Sequence, residues 1–135
     1  MTAAATLTIT SEPESLPTMR AWLREALAHH GVRPEAIAGL VVAAGELCTN
    51  AIKHAYAGRP GEPIHLSVTS VPAGVVVEIE DFGRPFDPAR YREPDLDELA
   101  ESGLGIHLVR SLTDEASFDI ARPRGTRWTL VSRRG

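Results

Sequence analysis

The sequence predicts an α+β fold, a two-layer sandwich with helices on one face of a mixed, mainly antiparallel sheet. Three observations lead there. Two long stretches carry apolar residues at helical spacing. Two pairs of alternating or β-branched stretches are joined by turns too short for a crossover, which favours antiparallel pairing. The 135 residues fit one compact domain, so both kinds of element must share one core. Residues 1–135 are therefore read as a single domain.

Thr6 to Thr10 alternates apolar and polar residues, as a half-buried strand does. Ser11 to Pro17 is turn-rich, and a helix follows over Thr18 to His30 with Met19, Trp22, Leu23, Ala26 and Leu27 on its apolar face. Gly31 stops it. Pro34 opens a longer helix to about Ala57, with a stripe of Ile37, Leu40, Val41, Ala44, Leu47, Cys48, Ala51, Ile52 and Ala55. Gly58 to Pro63 reads as a loop, and Ile64–Val71 with Val75–Glu80 as a hairpin across Pro72-Ala73-Gly74. Phe82 to Ser102 is proline-rich and acidic, with room for a short helix near Asp95 to Ala100. Gly105 to Leu112 is a further helix, and Glu115–Ala121 with Thr126–Ser132 a second strand pair.

Composition narrows the function classes. A hydrophobic fraction of 43% and a charged fraction of 24% are ordinary for a globular chain. The formal net charge of −4 argues against direct nucleic-acid binding, although Arg133 and Arg134 form a small basic end. The single cysteine, Cys48, excludes an internal disulfide and a cysteine zinc cluster, and suits the cytoplasm. Met1 to Thr10 has no signal-peptide pattern, and no run is expected to reach the roughly 20 apolar residues that cross a bilayer. The glycine pattern ending in Gly-Lys-Ser/Thr that marks a P-loop is absent.

Four local patterns carry chemistry. On the long helix Glu46, Asn50 and either Lys53 or His54 fall on one line beside the apolar stripe. An amide oxygen there suits magnesium, and a carboxylate suits taking a hydroxyl proton. A solvated polar face would look the same. Asp81-Phe82-Gly83 ends an apolar strand, where a carboxylate can accept from the exocyclic amine of adenine and glycine lets the base approach. Ser102-Gly103-Leu104-Gly105 opens a helix, whose free N–H groups favour phosphate. Gly125-Thr126 enters the last strand with a hydroxyl that could support a base.

Taken in order, helical Glu-xxx-Asn-Ala, strand-Asp-x-Gly, Gly-x-Gly-helix and Gly-Thr-strand resemble the four nucleotide-binding boxes of the GHKL, or Bergerat-fold, ATPase and kinase superfamily. The likeness runs from about Pro34 to Ser132, with the first box in residues 46–55. Within it, Asp81-Phe82-Gly83-Arg84-Pro85-Phe86-Asp87-Pro88 and Ser102-Gly103-Leu104-Gly105-Ile106 are similar to the bacterial anti-sigma-factor serine kinases. The resemblance implies ATP and Mg²⁺ as cofactors, with Glu46 as general base and Asn50 as metal ligand. It implies that Asp81 and Gly83 meet adenine, and that Thr126 supports it. Gly103, Leu104 and Gly105 would meet the phosphates, with Lys53 and His54 nearby. Residues 84–102 would form an ATP lid, stiffened by Pro85 where many members have a second glycine.

The implied function is an ATP-dependent serine/threonine protein kinase that sequesters a sigma factor and phosphorylates a small anti-anti-sigma antagonist. The alternative is an ATP-binding module that sequesters its partner without kinase activity. A histidine kinase fragment fits poorly, because His29 and His30 end a short helix before a glycine. Neither membrane nor nucleic acid is implied as a partner, and a homodimer is compatible with the pattern.

Overall fold

The computed structural model describes residues 4–87 and 103–133. The expected short helix near Asp95 to Ala100, and all of the lid beyond Asp87, lie outside the described residues. Strands β1 (Ala5–Thr10), β2 (Pro63–Val71), β3 (Gly74–Asp81), β4 (Glu115–Asp119) and β5 (Arg127–Arg133) form one sheet in the order β1-β2-β3-β5-β4. Every pairing in it is antiparallel.

The alternation of the strands decides which sheet face is covered. Ile9, Ile64, Leu66, Val68, Val75, Val77, Ile79, Trp128 and Leu130 are buried on one face. The register stacks Leu7, Leu66, Ile79, Trp128 and Phe118 in a single row across all five strands. The next row carries Thr8, His65, Glu80, Arg127 and Asp119, so polar residues hold the opposite face. A slip of one residue in any strand would exchange the two sets.

Helix α1 (Leu16–His29) follows a short 3-10 turn and carries Pro17 in its first turn, where a missing N–H costs nothing. Met19, Leu23 and Leu27 recur every four residues and are fully buried, and each is worth about 1.5–3 kcal/mol of burial. Gly31 ends the helix at φ +76°, and Val32 N–H closes back on the Leu27 carbonyl at 3.1 Å. Helix α2 (Pro34–Asn50) buries Leu40, Val41, Ala43, Ala44, Leu47 and Cys48. Ile37, expected in that stripe, is only half-buried near the helix start. Helix α3 (Gly103–Leu112) packs its C-terminal end on α2 at Gly39, where a Cβ would stand 3.0 Å from the Leu112 carbonyl oxygen.

Two expectations are corrected. The long helix does not run as α-helix to Ala57. Its final turn, Ala51–Ala55, is a π-turn, and Tyr56 N–H bonds the Ala51 carbonyl five residues back. Ala57 and Gly58 then take left-handed conformations, φ 54° and 77°, that end it. The second correction concerns hydropathy. Pro34–Ala55, at 22 residues, is long and apolar enough by length and composition to cross a bilayer, because it is the central core helix, packed by α1, α3 and the sheet.

Candidate functional site

A cleft of about 390 Å³ opens between the end of α2, the end of β3, the start of β5 and the first residues of α3. Leu47, Asn50, Ala51 and His54 line it from the helix, Asp81, Thr126 and Trp128 from the sheet, and Ile106 from α3. The stretch Arg84–Asp87 closes one side. The floor is mostly apolar, with a few polar groups converging on it, as expected of a small-molecule site.

Asp81 is the buried charge of the cleft, with a relative exposure of 7%. Its Oδ1 accepts the Gly83 N–H at 3.0 Å, and its own N–H donates to the Thr126 carbonyl at 3.0 Å. Burial pushes its carboxyl above the usual range, and Glu80 adds to that. The Gly83 and Thr126 backbone bonds and the Arg122 charge oppose the shift without cancelling it. The thiol of Cys48, wholly buried and near Asp81, is pushed up to about 12, so it is an inert core group.

Gly83 does more than clear space in the cleft. A Cβ there would stand 2.3 Å from the Ala55 carbonyl oxygen and 2.9 Å from the Tyr56 ring, so glycine lets the turn lie flat on the helix end. Gly83 is not among the residues lining the cleft. The buried hydroxyl of Thr126 accepts the Phe86 N–H at 2.8 Å, tying the first residues after the turn to β5. On the outer side, Arg122 lies 5.5 Å from the Phe82 ring centroid and bonds Glu80, which also holds Arg127 at 3.2 Å.

The remaining anticipated residues separate. Asn50 and His54 line the cleft, whereas Lys53 is exposed and does not. Leu47, Asn50, Ala51 and His54 keep helical spacing into the π-turn, and of the two alternatives the structure brings His54 to the cavity. Glu46 sits one turn before Asn50, half-exposed and outside the lining. Gly103, Leu104 and Gly105 form the first turn of α3, so its unpaired N–H groups begin two residues earlier than expected.

Sequence reasoning missed the aromatic wall. Phe86, Phe118 and Trp128 meet edge to face or tilted, with centroids 4.9–5.3 Å apart, and Phe86 and Trp128 face the cavity. Tyr56 was also missed, although it continues the helical stripe four residues after Ile52.

Comparison with known proteins agrees with this architecture. Residues 9–131 match the histidine kinase-like ATPase domain family. The chain is 35% identical over 118 residues to the serine-protein kinase RsbW of Bacillus pumilus, covering 79% of this chain and 72% of that protein. It is 30% identical over 121 residues to the serine-protein kinase RsbW of Listeria monocytogenes serovar 1/2a, covering 84% and 77%. Among solved structures, it is similar to the RsbU and RsbW domains of Rv1364c from Mycobacterium tuberculosis, with a TM-score of 0.68 and 25% identity. That match covers 98% of this chain and 32% of the other, so this chain spans about a third of its length.

Proposed function

The chain belongs to the histidine kinase-like ATPase family, and from that premise we infer that it is an ATP-dependent protein serine kinase acting as an anti-sigma factor. One observation carries the nucleotide part of the reading: Asp81 and Asn50 line the same apolar cleft. A buried carboxylate fixed by the Gly83 N–H at 3.0 Å is preorganised to accept a hydrogen bond from the adenine amine. The Asn50 amide oxygen is a hard ligand suited to Mg²⁺, which when bound supplies charge neutralisation at the phosphates. The N-terminal turn of α3, with Gly103 and Gly105, offers backbone N–H groups to the same phosphates.

Glu46 is the acceptor-side residue in this reading. Lying one turn from Asn50 and partly exposed, it can meet a serine hydroxyl that arrives from outside the cleft and take its proton. The likeness to the RsbW kinases supports a protein serine as acceptor. The partners in this reading, a sigma factor and a small anti-anti-sigma antagonist, and its work in the cytoplasm are carried over from the sequence resemblance to the anti-sigma-factor serine kinases.

The test is phosphotransfer from labelled ATP with Mg²⁺ to a candidate antagonist, with ATP binding measured in parallel. Glu46→Ala is expected to lower transfer by roughly 10²–10⁴-fold while leaving ATP affinity within about twofold. Undiminished transfer by that variant would remove Glu46 from the chemistry, and no labelled serine with any antagonist would remove the kinase reading.

A further inference from the structure

The turn after β3 is fastened to the end of the Asn50-bearing helix by a set of bonds that the nucleotide reading does not use. The last carbonyls of a helix lack internal partners and carry the negative end of its dipole. Arg84 answers two of them. Its backbone N–H donates to the Ala55 carbonyl at 2.8 Å. Its guanidinium Nε and Nη2 donate to the His54 carbonyl at 3.2 and 2.8 Å.

Tyr56 makes the second attachment. Its buried hydroxyl donates to the Pro63 carbonyl at 2.6 Å and accepts the Phe82 N–H at 2.8 Å. The N–H groups of Phe82, Gly83 and Arg84 are thus bound in turn by Tyr56, Asp81 and Ala55. The bare Cα of Gly83 fills the space between.

We propose that Arg84 is a positioning residue for the nucleotide, acting through Asp81 by clamping the Asp81–Arg84 turn onto the end of the helix that bears Asn50. The clamp sets the separation between the base-binding carboxylate and the helix that serves the phosphates. An error of one ångström in such a separation is enough to lower productive binding substantially. Arg84 borders the cleft, but its Nε and Nη2 are spent on a helix carbonyl, so it acts on the nucleotide through the turn it fastens. The inference rests on the ATP reading above.

The experiment measures ATP and ADP affinity, KM and kcat for the full chain, Arg84→Ala, Arg84→Lys, Asp81→Asn and the Arg84→Ala/Asp81→Asn pair, with thermal melts of each. The backbone bond from residue 84 to Ala55 survives substitution, so the variants should fold. Arg84→Ala is expected to weaken ATP and ADP binding alike, by roughly tenfold, and to raise KM for ATP with kcat within about threefold. Arg84→Lys, which keeps the charge and a donor, should restore most of the affinity. In the Asp81→Asn background the Arg84→Ala effect should shrink, because both act through one contact.

Additive losses in the pair, a loss much larger for ATP than for ADP, or a lowered Tm with unchanged affinity would each overturn the proposal. ATP binding unaltered by Arg84→Ala overturns it alone. Failure of the unsubstituted chain to bind ATP overturns the functional reading, and this inference with it.

Discussion

Gly125 and Asp81 cross so closely that a Cβ on Gly125 would stand 1.9 Å from the Asp81 carbonyl oxygen. Gly125 also has φ +76°, which a side chain adopts only at a cost. The crossing puts Thr126 and Asp81 shoulder to shoulder, where their backbones bond at 3.0 Å. Gly125→Ala must therefore push β5 away from the end of β3. It is expected to cost roughly 2–4 kcal/mol of stability and to abolish ATP binding in whatever folded fraction remains. Urea unfolding alongside nucleotide titration checks it, and an alanine variant with unchanged affinity would show that the close crossing is not required.

Asp81 gives the fold a pH dependence of definite sign. Its folded carboxyl titrates above its unfolded value, mainly because burial penalises the charge. The folded chain therefore holds the proton more tightly than the unfolded one. The resulting stabilisation is fully present below the unfolded pKa, near 4, and is lost as pH rises through the folded value. Asp81→Asn removes that titration. Its stability relative to the parent should move in the variant's favour as pH rises from about 3.5 toward neutrality, then level off. Any constant effect of the amide cancels in this comparison. Denaturant unfolding at several pH values measures it, and a difference that is flat or of opposite slope would contradict the burial argument.

Ala57 has φ +54° and is the only described non-glycine residue with positive φ. It ends the π-turn beside Gly58, whose N–H returns to the Ile52 carbonyl at 2.9 Å. Left-handed backbone costs an alanine about 1–2 kcal/mol, part of which glycine gives back through greater freedom in the unfolded chain. Ala57→Gly should therefore stabilise the protein by up to about 1 kcal/mol, raising Tm by roughly 3–5 °C. A thermal melt decides it, and a lower Tm would mean that the alanine methyl makes a packing contribution larger than its strain.

Much of this architecture is legible in the sequence because it depends on local periodicity. The alternation Ile64, Leu66, Val68 and the four-residue spacing Met19, Leu23, Leu27 each name a buried face before any tertiary contact is known. The π-turn is not legible in that way. Its carbonyls meet Arg84, whose position depends on a turn about thirty residues along the chain. Asp81 could be singled out as a strand-end carboxylate followed by glycine, but the reason for Gly83 lies at Ala55, on another element. Trp128 reaches the cleft only because β5 pairs with β3 in the register that sets it opposite Ile79. Such registers are properties of the assembled sheet.

Trp128 also supplies a probe for the site. It is one of two tryptophans in the chain. It is 5% exposed, lines the cleft, and packs 5.3 Å from Phe86 and 5.2 Å from Phe118. Phe86 is held to Thr126 through its N–H, so a ligand that enters between Asp81 and Asn50 must alter the surroundings of this ring cluster. Trp22 lies on α1 and lines no part of the cleft. The expected result is a saturable change in tryptophan emission when Trp22→Phe is titrated with Mg-ATP, and a flat response from Trp128→Phe. The second variant removes an aromatic wall and should bind ATP more weakly, so binding by calorimetry is needed to place its titration range. If the emission change stays with Trp22 instead, the nucleotide does not occupy the cleft between Asn50 and Asp81, and the assignment of these two residues fails together with the aromatic wall.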